Sequence, residues 1–249
     1  MHIRVINPVI TRRWENDTLR TYSSVAQEDT QVSVVSLDWG TASIESQRDE
    51  ALVVPDILTK VVQAEQDGVD AVIVDCMADP GVPAARELVR IPVVGPAQAS
   101  MHLAAMLGHR FSVITVFDSD IPAVEDQVLR YGLTRKLASV RAFNIPVLDL
   151  DQDRDATVRV LADVSERAVR EDGAHVIVPG CTGLGGLAAR IQAALRDRGL
   201  DVPVIDPPLV AMKLAESLVT LGYAHSKVSY PAPPDKEIRW FAPWGTITA

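Results

Sequence analysis

The chain has 249 residues, 47% of them hydrophobic, and carries 24 basic against 33 acidic side chains for a net charge of −9 at pH 7. That length suffices for one large α/β domain or two lobes, each with its own core. The acidic balance argues against nucleic acid or an anionic membrane surface as a partner, and no apolar run approaches the ~20 residues that a bilayer span needs.

The opening Met1-His2-Ile3-Arg4-Val5-Ile6-Asn7 reads as a short strand stopped by Pro8, not as a signal peptide. A soluble cytoplasmic protein handling small molecules is expected, with its two cysteines as free thiols. Trp14–Ala26 is polar and predicts a helix, and the β-branched Gln31–Leu37 a strand. After a loop containing Gly40 and Ser46, apolar residues at Leu52, Val53, Ile57, Val61, Val62 and Ala64 predict a helix over Asp49–Asp67. Ala71–Asp75 is a strand. Asp79-Pro80 has the form of a helix N-cap followed by Pro at the first helical position, with the helix running to Val89. Pro92–Gly95 is a short strand, and Ala97–Leu107 a helix closed by Gly108.

The second half restarts the same order. Arg110–Val116 and Val140–Phe143 are strands, Ser119–Tyr131 and Arg154–Asp172 helices, and Val176–Val178 a strand. Gly180-Cys181-Thr182-Gly183 leads into a helix over Leu184–Arg198, followed by a strand at Pro203–Asp206 and a helix over Leu209–Leu221. Strands alternating with helices imply parallel sheets with right-handed crossovers. The chain therefore divides into two pseudo-symmetric, Rossmann-like α/β lobes: 1–97 completed by the returning helix 207–222, and 98–206. Hinges are expected at Gly95-Pro96 and Asp206-Pro207-Pro208. The tail 223–249 is rich in proline and carries Trp240, Phe241 and Trp244. It is expected to form an extended arm packed on its own subunit or a neighbour, with disorder as the alternative.

The repeat is sharpest at Asp67-Gly68…Cys76 and Asp172-Gly173…Cys181, where an Asp-Gly turn and an apolar strand place a cysteine nine positions after the Asp in both. These are the only cysteines. Ligands of parallel α/β sheets bind outside the carboxyl ends of the strands, where both thiols fall, each ahead of a helix whose N-terminus would lower a thiol pKa. A buried structural cysteine is the ordinary alternative. Two thiols facing one ligand from opposite lobes suit proton removal on one face of a carbon and proton donation on the other, which inverts a stereocentre next to a carbonyl without a cofactor.

With these residues in view the chain resembles the Asp/Glu/hydantoin racemase superfamily, and within it the hydantoin racemase branch that includes the allantoin racemases. The resemblance rests on Arg4-Val5-Ile6-Asn7-Pro8, Ser43-Ile44-Glu45-Ser46 with Asp49-Glu50-Ala51, and Cys76 with Asp79-Pro80-Gly81. It continues through Gly180-Cys181-Thr182-Gly183-Leu184 to Ser226-Lys227…Tyr230. It implies racemisation of a 5-substituted hydantoin or related cyclic ureide, with no cofactor and no metal, in a homo-oligomer. Cys76 and Cys181 would be the acid–base pair, and Asn7, Thr115, Phe117, Thr182 and Gly183 would contact the substrate. The chain departs from the family where Val9-Ile10 follows Asn7-Pro8 in place of Asn-Thr, and where Thr115 is followed by Val116-Phe117 instead of a second threonine. Both changes point to a bulkier or more apolar substrate.

Other readings stay open. A substituted-malonate decarboxylase of this superfamily needs one thiol, and a maleate cis–trans isomerase uses two. A two-lobed binding protein would hold structural cysteines, and thiols of ordinary or raised pKa would favour it. Gly180–Gly186 lacks the Lys-Ser/Thr of a phosphate-binding loop. His102, His109 and His175 have no metal-ligand spacing. Asp75 is equally suited to positioning a donor or to capping a loop. Glu45, Ser46 and Asp49 lie in a loop suited equally to covering the cleft or to facing solvent.

Overall fold

A computed structural model of the chain describes residues 1–234 together with 236 and 237. In the first lobe, strands β1 (His2–Asn7), β2 (Gln31–Ser36), β3 (Ala71–Val74) and β4 (Val93–Val94) form a parallel sheet in the order β2-β1-β3-β4. Helices α1 (Glu15–Ser23), α2 (Gln47–Gln66) and α3 (Val82–Leu88) connect them. Next come α4 (Pro96–Leu107), β5 (Phe111–Thr115), α5 (Ile121–Arg130), β6 (Leu137–Ala142), α6 (Arg154–Asp172), β7 (Val176–Pro179), α7 (Ala188–Asp197) and α8 (Pro207–Leu221). The second sheet is parallel in the order β6-β5-β7. Only a single parallel bridge, Ile177 to Val204, stands where a fourth strand was expected.

Register relates the two sheets. Ile3 pairs with Ala71 and Phe111 with Val176, so β1 and β5 are equivalent, as are β3 and β7. Asn7 and Thr115, at the ends of β1 and β5, then occupy matching places. Buried Ala97, Met101 and Ala104 of α4 pack with Phe111, Val113, Val176 and Val178 of the second sheet. Ala211, Met212 and Ala215 of α8 pack with Ile3, Val5, Ala71 and Ile73 of the first. The chain thus exchanges one helix between lobes in each direction, and these paired apolar layers hold the lobes together.

Several elements differ from the sequence expectation, each for a local reason. Helix α2 begins earlier than Asp49, because the Ser46 hydroxyl accepts the Asp49 N–H at 3.2 Å and caps it. The helix expected from Leu184 is a 3-10 turn over Thr182–Leu184, and α7 starts only at Ala188. Gly186, at φ 79°, breaks the helical path between them. Asp79 does not cap α3. Its own backbone is left-handed at φ 49°, and Gly81 occupies the cap position. The Asp79 carboxylate instead accepts the Ala97 and Gln98 N–H groups at 3.0 and 2.8 Å, so it caps α4 across the chain. In the arm, Lys227 donates to the carbonyls of Arg86 and Val89 at 2.7 Å each, satisfying the carboxyl end of α3. The expected packing of Trp240, Phe241 and Trp244 lies outside the described residues.

Candidate active site

The carboxyl ends of β1, β3, β5 and β7 meet at a cleft of about 720 Å³ lined by residues of both lobes. Cys76, Cys181, Asn7, Thr115, Thr182 and Gly183 all line it. Phe117 does not: it packs against the apolar cluster of the second lobe that holds Val116 and Phe143, and of the three only Val116 lines the cleft. Of the covering loop, Glu45 and Ser46 line the cleft. Asp49 does not, and it accepts the Glu45 N–H at 3.2 Å.

Each thiol is held by its loop. The Cys76 N–H donates to the Val74 carbonyl at 2.8 Å, and the Ala78 N–H points at the Cys76 Sγ at 3.5 Å. The Cys181 loop is drawn close to β5 because Gly180 donates to the Ile114 carbonyl at 2.8 Å. A Cβ at Gly180 would stand 2.8 Å from that carbonyl oxygen, so only glycine permits the approach.

Burial pushes Cys181 up to about 12, the Gly183 N–H opposing it and Asp75 and Glu45 adding to it. Cys76 is likewise raised by burial, opposed by the Ala78 N–H and reinforced by Cys181, Glu50 and Asp79. The expected lowering by a helix N-terminus is absent. Helices α3 and α7 begin only at Val82 and Ala188, and the dipole effect fades within one turn. Desolvation decides the sign.

Asn7 is 4% exposed, and neither its Oδ1 nor its Nδ2 has a hydrogen-bond partner. A buried, unpaired amide costs about 1–3 kcal/mol, which a bound group offering both a donor and an acceptor would recover. The lobes also meet through polar contacts around the cleft. Thr182 Oγ1 donates to the Asp75 carbonyl at 3.1 Å, Gln127 Nε2 to the Met77 carbonyl at 3.0 Å, and the Val147 N–H to Glu45 Oε1 at 2.7 Å. Tyr22 donates to Asp75 Oδ1 at 2.8 Å and Tyr131 to Asp79 Oδ2 at 2.6 Å. Burial raises both carboxyls to about 6 despite these donors.

Sequence reasoning missed the second lobe's wall. Asp120, Ala123, Gln127 and Arg130 all line the cleft. Their spacing places Ala123, Gln127 and Arg130 on one face of α5, with Asp120 at its N-cap, a signal present in the chain but hidden by their mixed chemistry.

The Asp/Glu/Hydantoin racemase family model matches residues 3–215. The hydantoin racemase of Rhizobium meliloti is 42% identical over 234 residues, spanning 94% of this chain and 95% of that protein. That of a Pseudomonas species is 40% identical over 238 residues, 95% and 94% of the two chains. The solved structure of allantoin racemase from Klebsiella pneumoniae superposes with a TM-score of 0.89 at 34% identity, covering 96% of each chain. Two lobes with a thiol at equivalent strand ends, a family model over residues 3–215 and relatives matched over nine-tenths of both chains lead to one assignment: the chain belongs to the Asp/Glu/hydantoin racemase family.

Proposed function

We propose that this protein racemises 5-substituted hydantoins or related cyclic ureides, with Cys76 and Cys181 as the two acid–base groups and no cofactor. The observation that carries the reading is the convergence of both thiols, from equivalent ends of β3 and β7, on one cleft. In one direction a thiolate takes the C5 proton, the electron pair passes into the neighbouring carbonyl as an enolate, and the opposite thiol protonates C5 on its other face. The reverse direction exchanges the roles. The Asn7 amide fits the alternating N–H and C=O edge of a ureide ring, and the Thr182–Gly183 segment supplies donors for the enolate oxygen. The family resemblance also implies a homo-oligomer.

Val9 and Val116, where the chain departs from its family, are 8% and 6% exposed and line the cleft with Ile44 and Leu150. They support an apolar substituent at C5. The raised thiols, taken alone, favour a binding protein. A racemase, however, needs one thiol that keeps its proton, and a full-length match to hydantoin racemases adds to the case. The base then forms at alkaline pH or against donors brought by the substrate.

Replacing either cysteine with serine should lower racemisation of a neutral 5-substituted hydantoin by at least about 100-fold. In D2O each variant should retain C5 exchange with one enantiomer only. Full racemisation by both single variants would sink the proposal.

A further inference from the structure

The cleft has an unbalanced charge. Eight of its lining residues are acidic and two are basic, Arg130 and Arg154. Arg154 is paired with Asp151 at 3.2 Å and Asp17 with Arg20, which leaves Glu45, Glu50, Asp75, Asp79, Asp120 and Asp126 against the exposed Arg130. The carboxylates stand against the chemistry: Glu50 and Asp79 act on Cys76, and Asp75 and Glu45 on Cys181. Asp120 and Glu50, on facing lobes, are both raised by partial burial; at Glu50 Arg130 opposes the rise and Asp120 adds to it. Within the same cleft the unpaired amide of Asn7, 4% exposed, marks the place of a ligand that brings hydrogen bonds.

Racemisation through a thiol pair keeps the charge of the cleft constant. One thiolate is present at the start, its charge passes to the enolate, and one thiolate remains at the end. A substrate with its own carboxylate would add a second negative charge to a walled site in which most ionisable groups already repel it. A neutral ring adds none.

Resting on the hydantoin racemase reading of this cleft, we propose that its carboxylate lining is a charge filter, excluding anionic substrates and admitting neutral or cationic ones, with Glu50 a principal determinant. Glu50 is half-buried and its carboxylate makes no hydrogen bond or ion pair among the described residues, so its change to Gln alters charge with little else. Asp126, exposed on the cleft wall, is a second such position.

Two measurements on the 249-residue chain test this. The first compares alkylation of the cleft thiols by iodoacetamide, which is neutral, and iodoacetate, which is anionic. Each rate is normalised to that of 2-mercaptoethanol under the same conditions. At low salt iodoacetate should be disfavoured at least about tenfold, and the ratio should shrink with added salt and in Glu50→Gln/Asp126→Asn. The second compares kcat/KM for 5-benzylhydantoin and hydantoin-5-acetate, with the same bias expected and the same partial relief in the variant. Equal normalised alkylation rates, or hydantoin-5-acetate racemised as well as the benzyl compound, would overturn the filter even if the enzyme is a hydantoin racemase. Exclusion of iodoacetate by a protein that racemises no hydantoin would uphold the filter and overturn the substrate reading instead.

Discussion

Gly95 precedes α4, and its backbone, at φ −103° and ψ 126°, suits any residue. Its side-chain space does not. A Cβ there would lie 2.3 Å from the Asp79 Cγ and 2.5 Å from both carboxylate oxygens. Gly95→Ala must therefore push the carboxylate aside and disturb its bonds from the Ala97 N–H, the Gln98 N–H and the Tyr131 hydroxyl, at 3.0, 2.8 and 2.6 Å. Losing a helix cap costs about 1–2 kcal/mol, and a buried tyrosine hydroxyl left without its acceptor about 1–3. The smaller conformational freedom of an unfolded chain with alanine returns about 0.4–1 kcal/mol. The net loss is roughly 2–3 kcal/mol, or about 4–12 °C in Tm for a chain of this size.

Urea denaturation of four proteins tests the argument: the parent, Gly95→Ala, Asp79→Ala and the double variant. Once the carboxylate is gone, the three closest atoms that alanine at 95 would meet are gone with it. The second substitution should then cost less than about 0.5 kcal/mol on top of the first, a coupling of roughly 2 kcal/mol. A Gly95→Ala protein as stable as the parent, or additive losses in the double variant, would refute the account. So would retained stability with a lost cleft, because Asp79 ties the Cys76 loop to α4 and to Tyr131 of the second lobe.

Two further outcomes follow from the titrating groups. Asp75 and Asp79 are held at about 6 by burial, above the ~3.9 of a free aspartate. The folded state therefore binds protons more tightly, and the stability these groups contribute is full below about pH 4 and is lost as pH rises through 6. Relative to the parent, Asp79→Asn should gain about 2–3 kcal/mol between pH 4 and 7 in chemical denaturation; a pH-independent difference would show that burial does not control this carboxyl. Because both thiols are raised, with Cys181 at about 12, inactivation by iodoacetamide should accelerate about tenfold per pH unit from 7 to 9. A plateau below pH 8 would mean that a thiolate is already present in the empty cleft.

What the chain discloses before folding depends on how local each contact is. The Asp-Gly turns, the apolar strands and the cysteines that follow them are neighbours in sequence, so the two-lobed α/β plan and the thiol pair were legible at once. The equivalence of Asn7 and Thr115 was not. The cysteines repeat at one spacing and Met101 and Met212 at another, while strand register pairs Ile3 with Phe111 at a third. No single shift aligns the halves. Asp79 was misread because Asp-Pro matches a local capping pattern, whereas its partners lie on α4 and at Tyr131. The thiols failed in a similar way: a helix follows each cysteine, but its distance and the burial around the sulfur belong to the fold.

Charge makes the same point more sharply. A net −9 is visible in the composition and reads there as solubility. Glu45 and Glu50 come from a loop and the start of α2, Asp75 and Asp79 from the loop after β3, and Asp120 from the approach to α5. Only lobe packing brings them to one cleft. There the surplus acts on the thiols directly, so the acid strength of Cys76 and Cys181 and the charge of an acceptable substrate are two consequences of one arrangement. A substitution that neutralises Glu50 should move both together: a lower Cys76 pKa and a weaker bias against anions. If one moved without the other, the two properties would have separate causes.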